Sequence, residues 1–415
     1  MSGHGPGPAS RLGAAAAAAY AYVILGAEMA AIGPLIEGWM REFEVGAAAM
    51  GTLFTASSLG SVAMTLAYPG LVARWGLQAL LSAGALLVGV GLALAAGAGR
   101  ASLLLATFGV VGIGFAAVDL GINNLYVVIF PHRRALALNL VHLFFAVGAT
   151  AAPALLPVLL RVTSWRAIFV AIGAASAAGS LAILMTCRGL TPAVHAGERD
   201  GGSGRGSWSL PLLRRLWRPA VAMLLYVGVE VAVTGWAFAY LRWEKAASAE
   251  LAGAAVSVFW AGLAAGRLLL GAAVEALGYE PTLRLTAIGG GAVLAAMALL
   301  PVGPVVALVL LGVVGLVFSV MFPTLVALAS RDAPAQESGA VTAVMVLSST
   351  LGSMTLPALT GAAAQWTGQL GATMVAMGAG LALAYVLLIP NRRALAGAVT
   401  PAAVAPGAVR PQAER

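Results

Sequence analysis

The sequence predicts an all-α membrane protein, with about twelve transmembrane helices in two six-helix bundles. Three observations carry that prediction. Of 415 residues, 61% are hydrophobic and only 9% charged, whereas a water-soluble chain is about 45–50% apolar. Apolar stretches of about 20 residues, the length that crosses a bilayer, recur along the chain. One long polar stretch interrupts them near the middle.

The first six expected spans lie near 13–36, 47–68, 77–98, 102–130, 135–160 and 167–187. The second six lie near 219–241, 250–273, 283–300, 304–329, 338–361 and 370–389. The chain then divides into an N-terminal tail (1–12), a first bundle (13–187), a linker (188–218), a second bundle (219–389) and a tail (390–415). The linker contains the Gly- and Ser-rich run His195 to Gly206, a flexible composition, and Ser207 to Leu216 reads as a short amphipathic surface helix. The last segment is rich in Ala, Pro and Gly and reads as disordered. The 52 glycines suit helices that must approach closely in lipid, where packing rather than hydrophobicity joins them. Met1 to Ser10 has no signal-peptide pattern, so the first apolar stretch reads as a retained helix.

The net charge of +8 does not mark a nucleic-acid binder, because the arginines fall between apolar segments without interleaved aromatics. They act better as topology signals. With the N-terminus inside, cytoplasmic segments hold Arg11, Arg74, Arg133, Arg134, the linker arginines, Arg267, Arg284, Arg331, Arg392 and Arg393. The opposite loops hold Arg41, Arg100, Arg161, Arg166, Arg242 and Lys245, beside the acidic residues Glu37, Glu42 and Glu44. The expected location is a cell membrane, multi-pass, with both termini cytoplasmic. Cys187 is the one cysteine, which excludes an internal disulfide or a thiolate cluster.

Ionisable groups inside the spans are the candidate working groups. A carboxylate at bilayer depth costs at least about 2.5 kcal/mol and is tolerated mainly where it faces protein or water. Asp119 sits in the middle of its apolar stretch, with Asn123 one turn on and facing the same way. That pattern points to a pathway for a proton or polar solute. Glu28 lies inside the first span. Glu230 shares a helix face with Tyr226, and Asn139 with His142; amides offer the paired donors and acceptors that a hydroxyl array requires. Trp236 is a candidate pocket wall among Tyr240, Trp243 and Trp260, since an indole face stacks on a sugar ring or a lipophilic molecule. Gly109 to Gly114 lies within a span and reads as helix packing. No Walker sequence, nucleophile elbow or zinc motif occurs, so neither ATP hydrolysis nor another enzymatic activity is expected.

A weak internal repeat accompanies the two halves. Gly271-Ala-Ala-Val-Glu275-Ala-Leu-Gly278 follows Arg267 after the eighth span, and Pro69-Gly-Leu-Val-Ala73-Arg-Trp-Gly76 follows the second. Both read as short cytoplasmic turns. This organisation resembles the major facilitator superfamily, whose G-x-x-x-D/E-x-x-G loop is matched by Gly271, Glu275 and Gly278. The first copy departs from it at Pro69 and Ala73. A narrower resemblance is to the fucose/glucose/galactose:proton symporter branch. It rests on Asp119-Leu-Gly-Ile-Asn123, Leu138-Asn139-Leu-Val-His142, Tyr226-Val-Gly-Val-Glu230 and Phe322-Pro323-Thr324. In that branch an acid precedes a first-helix proline by four residues; here Glu28 precedes Pro34 by six.

The resemblance implies alternating access with Asp119 and Glu28 in proton coupling. It places Asn123, Asn139, His142, Tyr226, Glu230 and Trp236 around a solute, and Arg267, Gly271, Glu275 and Gly278 in a cytoplasmic gating loop. The expected function is proton-coupled movement of a sugar or similar small polar solute. The alternative is a drug or metabolite exporter, with Met321, Met345 and Met354 lining a greasier pocket. The expected partners are the solute, protons and the lipid bilayer, with no cofactor, metal or nucleic acid and with the chain acting as a monomer.

Overall fold

A computed structural model describes residues 8–130, 134–187, 210–331 and 337–389. Among them are fourteen helices and no strand. The first half holds α1 (Pro8–Glu42), α2 (Ala47–Trp75), α3 (Leu77–Ala96), α4 (Ala101–Ile129), α5 (Arg134–Leu159) and α6 (Trp165–Thr186). The second holds α7 (Leu210–Trp243), α8 (Ala249–Leu269), α9 (Gly271–Leu277), α10 (Tyr279–Leu299), α11 (Pro304–Phe318), α12 (Met321–Ser330), α13 (Ser338–Thr367) and α14 (Leu370–Leu388). Counting α11 and α12 as one, twelve spans are long and apolar enough to cross a bilayer.

Several helices run past their expected ends: α1 to Glu42, α2 to Trp75, taking in most of the expected Pro69–Gly76 turn, and α13 to Thr367. Three further features differ from the sequence reading. The seventh helix starts at Leu210, so the expected surface helix and the end of the linker run directly into the span. Leu212 and Leu216, four residues apart, bury one face of that extension. The Gly271–Gly278 turn is mostly helical, as α9. The tenth span is interrupted at Ser319 and Val320. Its cause is Pro323, which lacks an N–H and whose ring crowds the carbonyl four residues earlier, that of Ser319. Most of the expected linker and the C-terminal tail lie outside the described residues.

The same packing recurs in both halves. In the first, α1 packs on α5, α2 on α4 and α3 on α6. In the second, α7 packs on α13, α8 on α11 and α10 on α14. Glycines set each pair. A methyl group on Gly148 of α5 would overlap the Val23 carbonyl of α1, and one on Gly352 of α13 would overlap the Leu224 carbonyl of α7. Gly60 against Gly109 is matched by Gly262 against Gly312, and Gly89 against Gly173 by Gly291 against Gly378. Equivalent positions recur about 200 residues apart, as parallel repeats require. The loop glycines conform too. Gly76 (φ 82°, ψ 158°) and Gly278 (φ 87°, ψ 163°) share a conformation open essentially only to glycine.

The halves meet along α2–α13, α5–α8 and α1–α7. Their close contacts gather at the face bearing the 43–46 and 244–248 loops, opposite the chain ends. There Gly33 of α1 lies against the Thr234 and Gly235 carbonyls of α7, and Gly51 against Ala358. The Ala48 N–H donates to Gln365 Oε1 at 2.9 Å. Two ion pairs bridge the halves at this loop face, Arg161 to Glu250 and Arg242 to Glu37 at 3.5 Å. Glu42 stays within the first half, accepting from the Trp165 indole at 2.7 Å and pairing with Arg166 at 2.5 Å.

Exposed ion pairs contribute about 0.2–1 kcal/mol each. Glu37→Gln with Glu250→Gln should therefore raise the population open at this face by about two- to thirtyfold. A Val231→Cys reporter in a Cys187→Ser background measures it, by its labelling rate with a reagent confined to that side. An unchanged rate would show that the pairs do not hold the face shut.

Candidate functional site

Asp119 is the centre of a compact polar cluster between α1 and α4. The Tyr22 hydroxyl donates to Asp119 Oδ1 at 2.6 Å. Asn123 Nδ2 donates to the Tyr22 hydroxyl at 3.1 Å and to the Asp119 carbonyl at 2.8 Å. The His142 ring of α5 lies against Tyr22, with centroids 5.3 Å apart. Asp119 and Asn123 are half-buried, while Tyr22 is fully buried. The helical spacing of Asp119 and Asn123 thus does place them together, and Tyr22 is the partner that sequence reasoning missed. Asn124 turns to another neighbour, the Tyr68 hydroxyl of α2, at 3.1 Å. The side chain of Asn139 lies outside the described residues.

Glu28 lies six residues beyond Tyr22 on α1, about 9 Å further towards the closed face. It is 3% exposed, and its Oε2 has no hydrogen-bond partner among the described residues. It lines a central cavity of about 130 Å³ between the halves. Phe54, Phe115 and Trp260 supply aromatic walls, and Ser57, Ser58, Ser61, Thr234 and Ser353 supply hydroxyls. Ser58 of α2 and Ser353 of α13 meet across the halves at 3.1 Å. These serines were legible in principle: Ser57, Ser58 and Ser61 share one face of an apolar helix.

Glu230 occupies the place on α7 that Glu28 occupies on α1, by the spacing of the glycine pairs. Its surroundings differ. Tyr226, one turn earlier, faces the Glu230 carboxylate and donates to the Phe318 carbonyl at 3.2 Å. That carbonyl ends α11, where the helix breaks, so Tyr226 satisfies an acceptor that the broken helix leaves open. Arg267 is close enough to Glu230 and His142 to act on both electrostatically.

The expected gating loop is accordingly divided. Arg267, itself exposed, acts electrostatically on Glu230 and His142, while Glu275 on α9 is exposed and Gly271 has open space around it. Gly278 serves as the positive-φ stop. Trp236 requires a correction as well. It is fully buried, donates to the Pro357 carbonyl of α13 at 3.0 Å and does not line the central cavity. Packing between α7 and α13 took the large ring, and the cavity's indole is Trp260.

Trp236→Ala should therefore act on stability. Truncating a buried Trp costs about 3–5 kcal/mol, so the thermal transition of the detergent-solubilised protein should fall clearly while ligand selectivity holds. A normal transition with altered selectivity would return Trp236 to the pocket.

Comparisons with known proteins agree with this architecture. The sequence profile of the Major Facilitator Superfamily matches residues 18–357. No curated protein sequence matches the chain significantly. Among solved structures, the nucleoside transporter NupG superposes with a TM-score of 0.74 at 12% identity, covering 92% of this chain and 99% of that one. A mutant of NupG gives 0.77 at 12% identity, covering 92% and 100%. A bacterial homologue of the human lysosomal transporter Spinster, inward-facing and unoccupied, gives 0.71 at 16% identity, covering 92% and 93%. Such identities speak for the fold alone; the profile match speaks for the family. The chain belongs to the Major Facilitator Superfamily, as a multi-pass secondary transporter of small molecules and not an enzyme.

Proposed function

We propose that the chain couples proton movement to transport of a small polar solute, a sugar or a molecule of similar size and hydroxyl content, with Asp119 as the proton site. The observation that carries this reading is the 2.6 Å bond from Tyr22 to Asp119, next to Asn123 and His142. Hydrogen bonds to an ionised acceptor are about twice as strong as neutral ones. Protonating Asp119 weakens the bond from Tyr22 and adds a donor to the site; losing the proton reverses both. The charge on Asp119 therefore sets what Tyr22, Asn123 and His142 can offer a solute.

The link to alternating access runs along α1. This helix carries Tyr22 at the proton site, Glu28 at the cavity, Gly33 at the contact with α7 and Glu37 in the ion pair with Arg242. A change at Asp119 thus acts on the element that closes the loop face. The gating contribution of Arg267, Gly271, Glu275 and Gly278 would be exerted at the other end of the pathway. The Lys/Arg bias of the short loops supports cytoplasmic termini, which makes the loop face the outer one. We read the working unit as a monomer.

The test is uptake into proteoliposomes under an imposed proton gradient, over a panel of hexoses, nucleosides and lipophilic cations. Wild type should concentrate a hydroxylated solute. Asp119→Asn keeps the size of the carboxyl but cannot release a proton, so accumulation should fall to the equilibrium level while solute counterflow persists. Normal concentrative uptake by Asp119→Asn would remove it from coupling. Gradient-driven movement of lipophilic cations alone would favour an exporter.

A further inference from the structure

The cavity around Glu28 is rich in acceptors and poor in donors. A hydroxyl has one proton to give. Ser61 gives its proton to the Gly112 carbonyl at 3.0 Å, and Thr234 to the Glu230 carbonyl at 2.9 Å. Ser353 gives its proton to the Thr350 carbonyl at 2.9 Å, which leaves Ser58 as the donor in their 3.1 Å bond. These four hydroxyls can offer a ligand only lone pairs. Glu28 adds a carboxylate whose Oε2 is unpartnered. The remaining donors are the Ser57 hydroxyl and the Trp260 indole N–H, which is buried and also unpartnered.

No Lys, Arg or His lines this cavity among the described residues. A carboxylate buried without a cation or a donor must be neutralised in some other way, because an isolated charge at this depth is costly. A proton does so. So does a cationic group on the solute, and an ammonium fits the rest of the lining: it has several N–H donors, no acceptor and full positive charge. The faces of Phe54, Phe115 and Trp260 suit it for the same reason, since the ring quadrupole attracts cations. A neutral hydroxyl has one proton to give and two lone pairs that seek donors, of which this lining offers few. The equivalent acid, Glu230, differs in having a cation, Arg267, within electrostatic reach.

We infer that the Glu28 cavity is a subsite for the protonated amine of a small solute, with Glu28 as its counter-ion and the Trp260 N–H bonding an acceptor on the same solute. Resting on the transporter reading above, this narrows the solute to a small amine-bearing polar molecule. Protonated Glu28 and the ammonium exchange charge for charge: the carboxyl O–H bond breaks, its proton leaves to water, and the carboxylate takes the ammonium. The volume of about 130 Å³ admits the amine end of a molecule but falls short of the roughly 300–1,000 Å³ of a pocket for a drug-sized ligand.

Calorimetry on the purified full-length protein, with glucosamine against glucose and 2-aminoethanol against ethylene glycol, tests this directly. An amine should bind at least tenfold more tightly than its alcohol counterpart. It should release up to one proton per molecule into weakly buffered solution, and its affinity should weaken as pH falls. Glu28→Gln should abolish both the preference and the proton release, and Trp260→Phe should weaken binding of the amine while leaving its proton release. Thermal unfolding of each variant shows whether it is folded. If Glu28→Gln is unfolded, the wild-type amine preference and its pH dependence still decide. Equal binding of amine and alcohol, binding by neither amine, or a folded Glu28→Gln that keeps the preference overturns the inference. Proton release by sodium chloride alone would overturn it in favour of an inorganic cation site. The broader reading fails separately: its failure is the absence of gradient-driven uptake of any solute in proteoliposomes, whereas this inference can fail with uptake of a neutral solute intact.

Discussion

Helices in a bilayer gain little by hiding apolar surface from one another, because lipid tails are equally apolar. They gain by close packing, and here glycine makes that packing possible. Gly148 beneath Val23, Gly60 beneath Gly109 and Gly89 beneath Gly173 bring backbones together within the first half. Gly352, Gly262 and Gly291 do the same in the second. These contacts also set where polar groups of the pathway sit. Tyr22 and Glu28 lie on the helix that Gly26 and Gly148 press against α5, and Ser57 lies where Gly112 meets α2. A larger side chain at such a position would do more than loosen a core, since it would separate the helices that carry the two sides of the site.

The duplication gives both halves the same frame, but the residues hung on it differ. Glu28 and Glu230 occupy equivalent turns of α1 and α7. Glu230 is bracketed by Tyr226 and lies within electrostatic reach of Arg267. Glu28 faces hydroxyls and aromatic rings without a hydrogen-bond partner for Oε2. The halves have likewise diverged where α4 has Asp119 and the tenth span has its break at Ser319 and Val320. Each half carries one group that its counterpart lacks, so the site between them is chemically asymmetric although the scaffold is nearly symmetric.

Much of the scaffold was legible from sequence because lipid restricts what can span it. Length and hydropathy located the twelve spans, though several helices run six to nine residues past the expected ends, and the pairing of Asp119 with Asn123 followed from helical spacing. Less visible features depended on contacts between distant segments. Tyr22 looked like one apolar-span aromatic among several, and only the packing of α1 on α4 brings its hydroxyl to Asp119. Trp236 and Trp260 could not be ranked by composition, since both are indoles on neighbouring helices; the contact of α7 with α13 decides which is enclosed. The start of α7 was misplaced because Arg214, Arg215 and Arg218 lowered the hydropathy of a segment whose Leu212 and Leu216 face is buried. The recurrence of glycines across the halves was present in the sequence throughout, but its meaning lies in which carbonyl each one faces.

The separation of Asp119 from Glu28 on the α1 side of the pathway bears on how a single helix could serve two charges. Six residues of helix put their α1 anchor points about 9 Å apart, far enough for each acid to have its own partners. Asp119 is held by a donor, the Tyr22 hydroxyl, which donates to Oδ1 at 2.6 Å. Glu28 is held by none, so its state depends on whatever enters the cavity. Between Glu28 and the closed face stand Gly33, against the α7 carbonyls, and Pro34, inside the helix. A proline removes one backbone hydrogen bond and is a common cause of a kink. The portion of α1 beyond Pro34, with Glu37 on it, is thus the part of the helix best able to tilt. On the proposed reading, with the proton at Asp119, this hinge would set how much of a change at Tyr22 reaches Glu37 and the loop face.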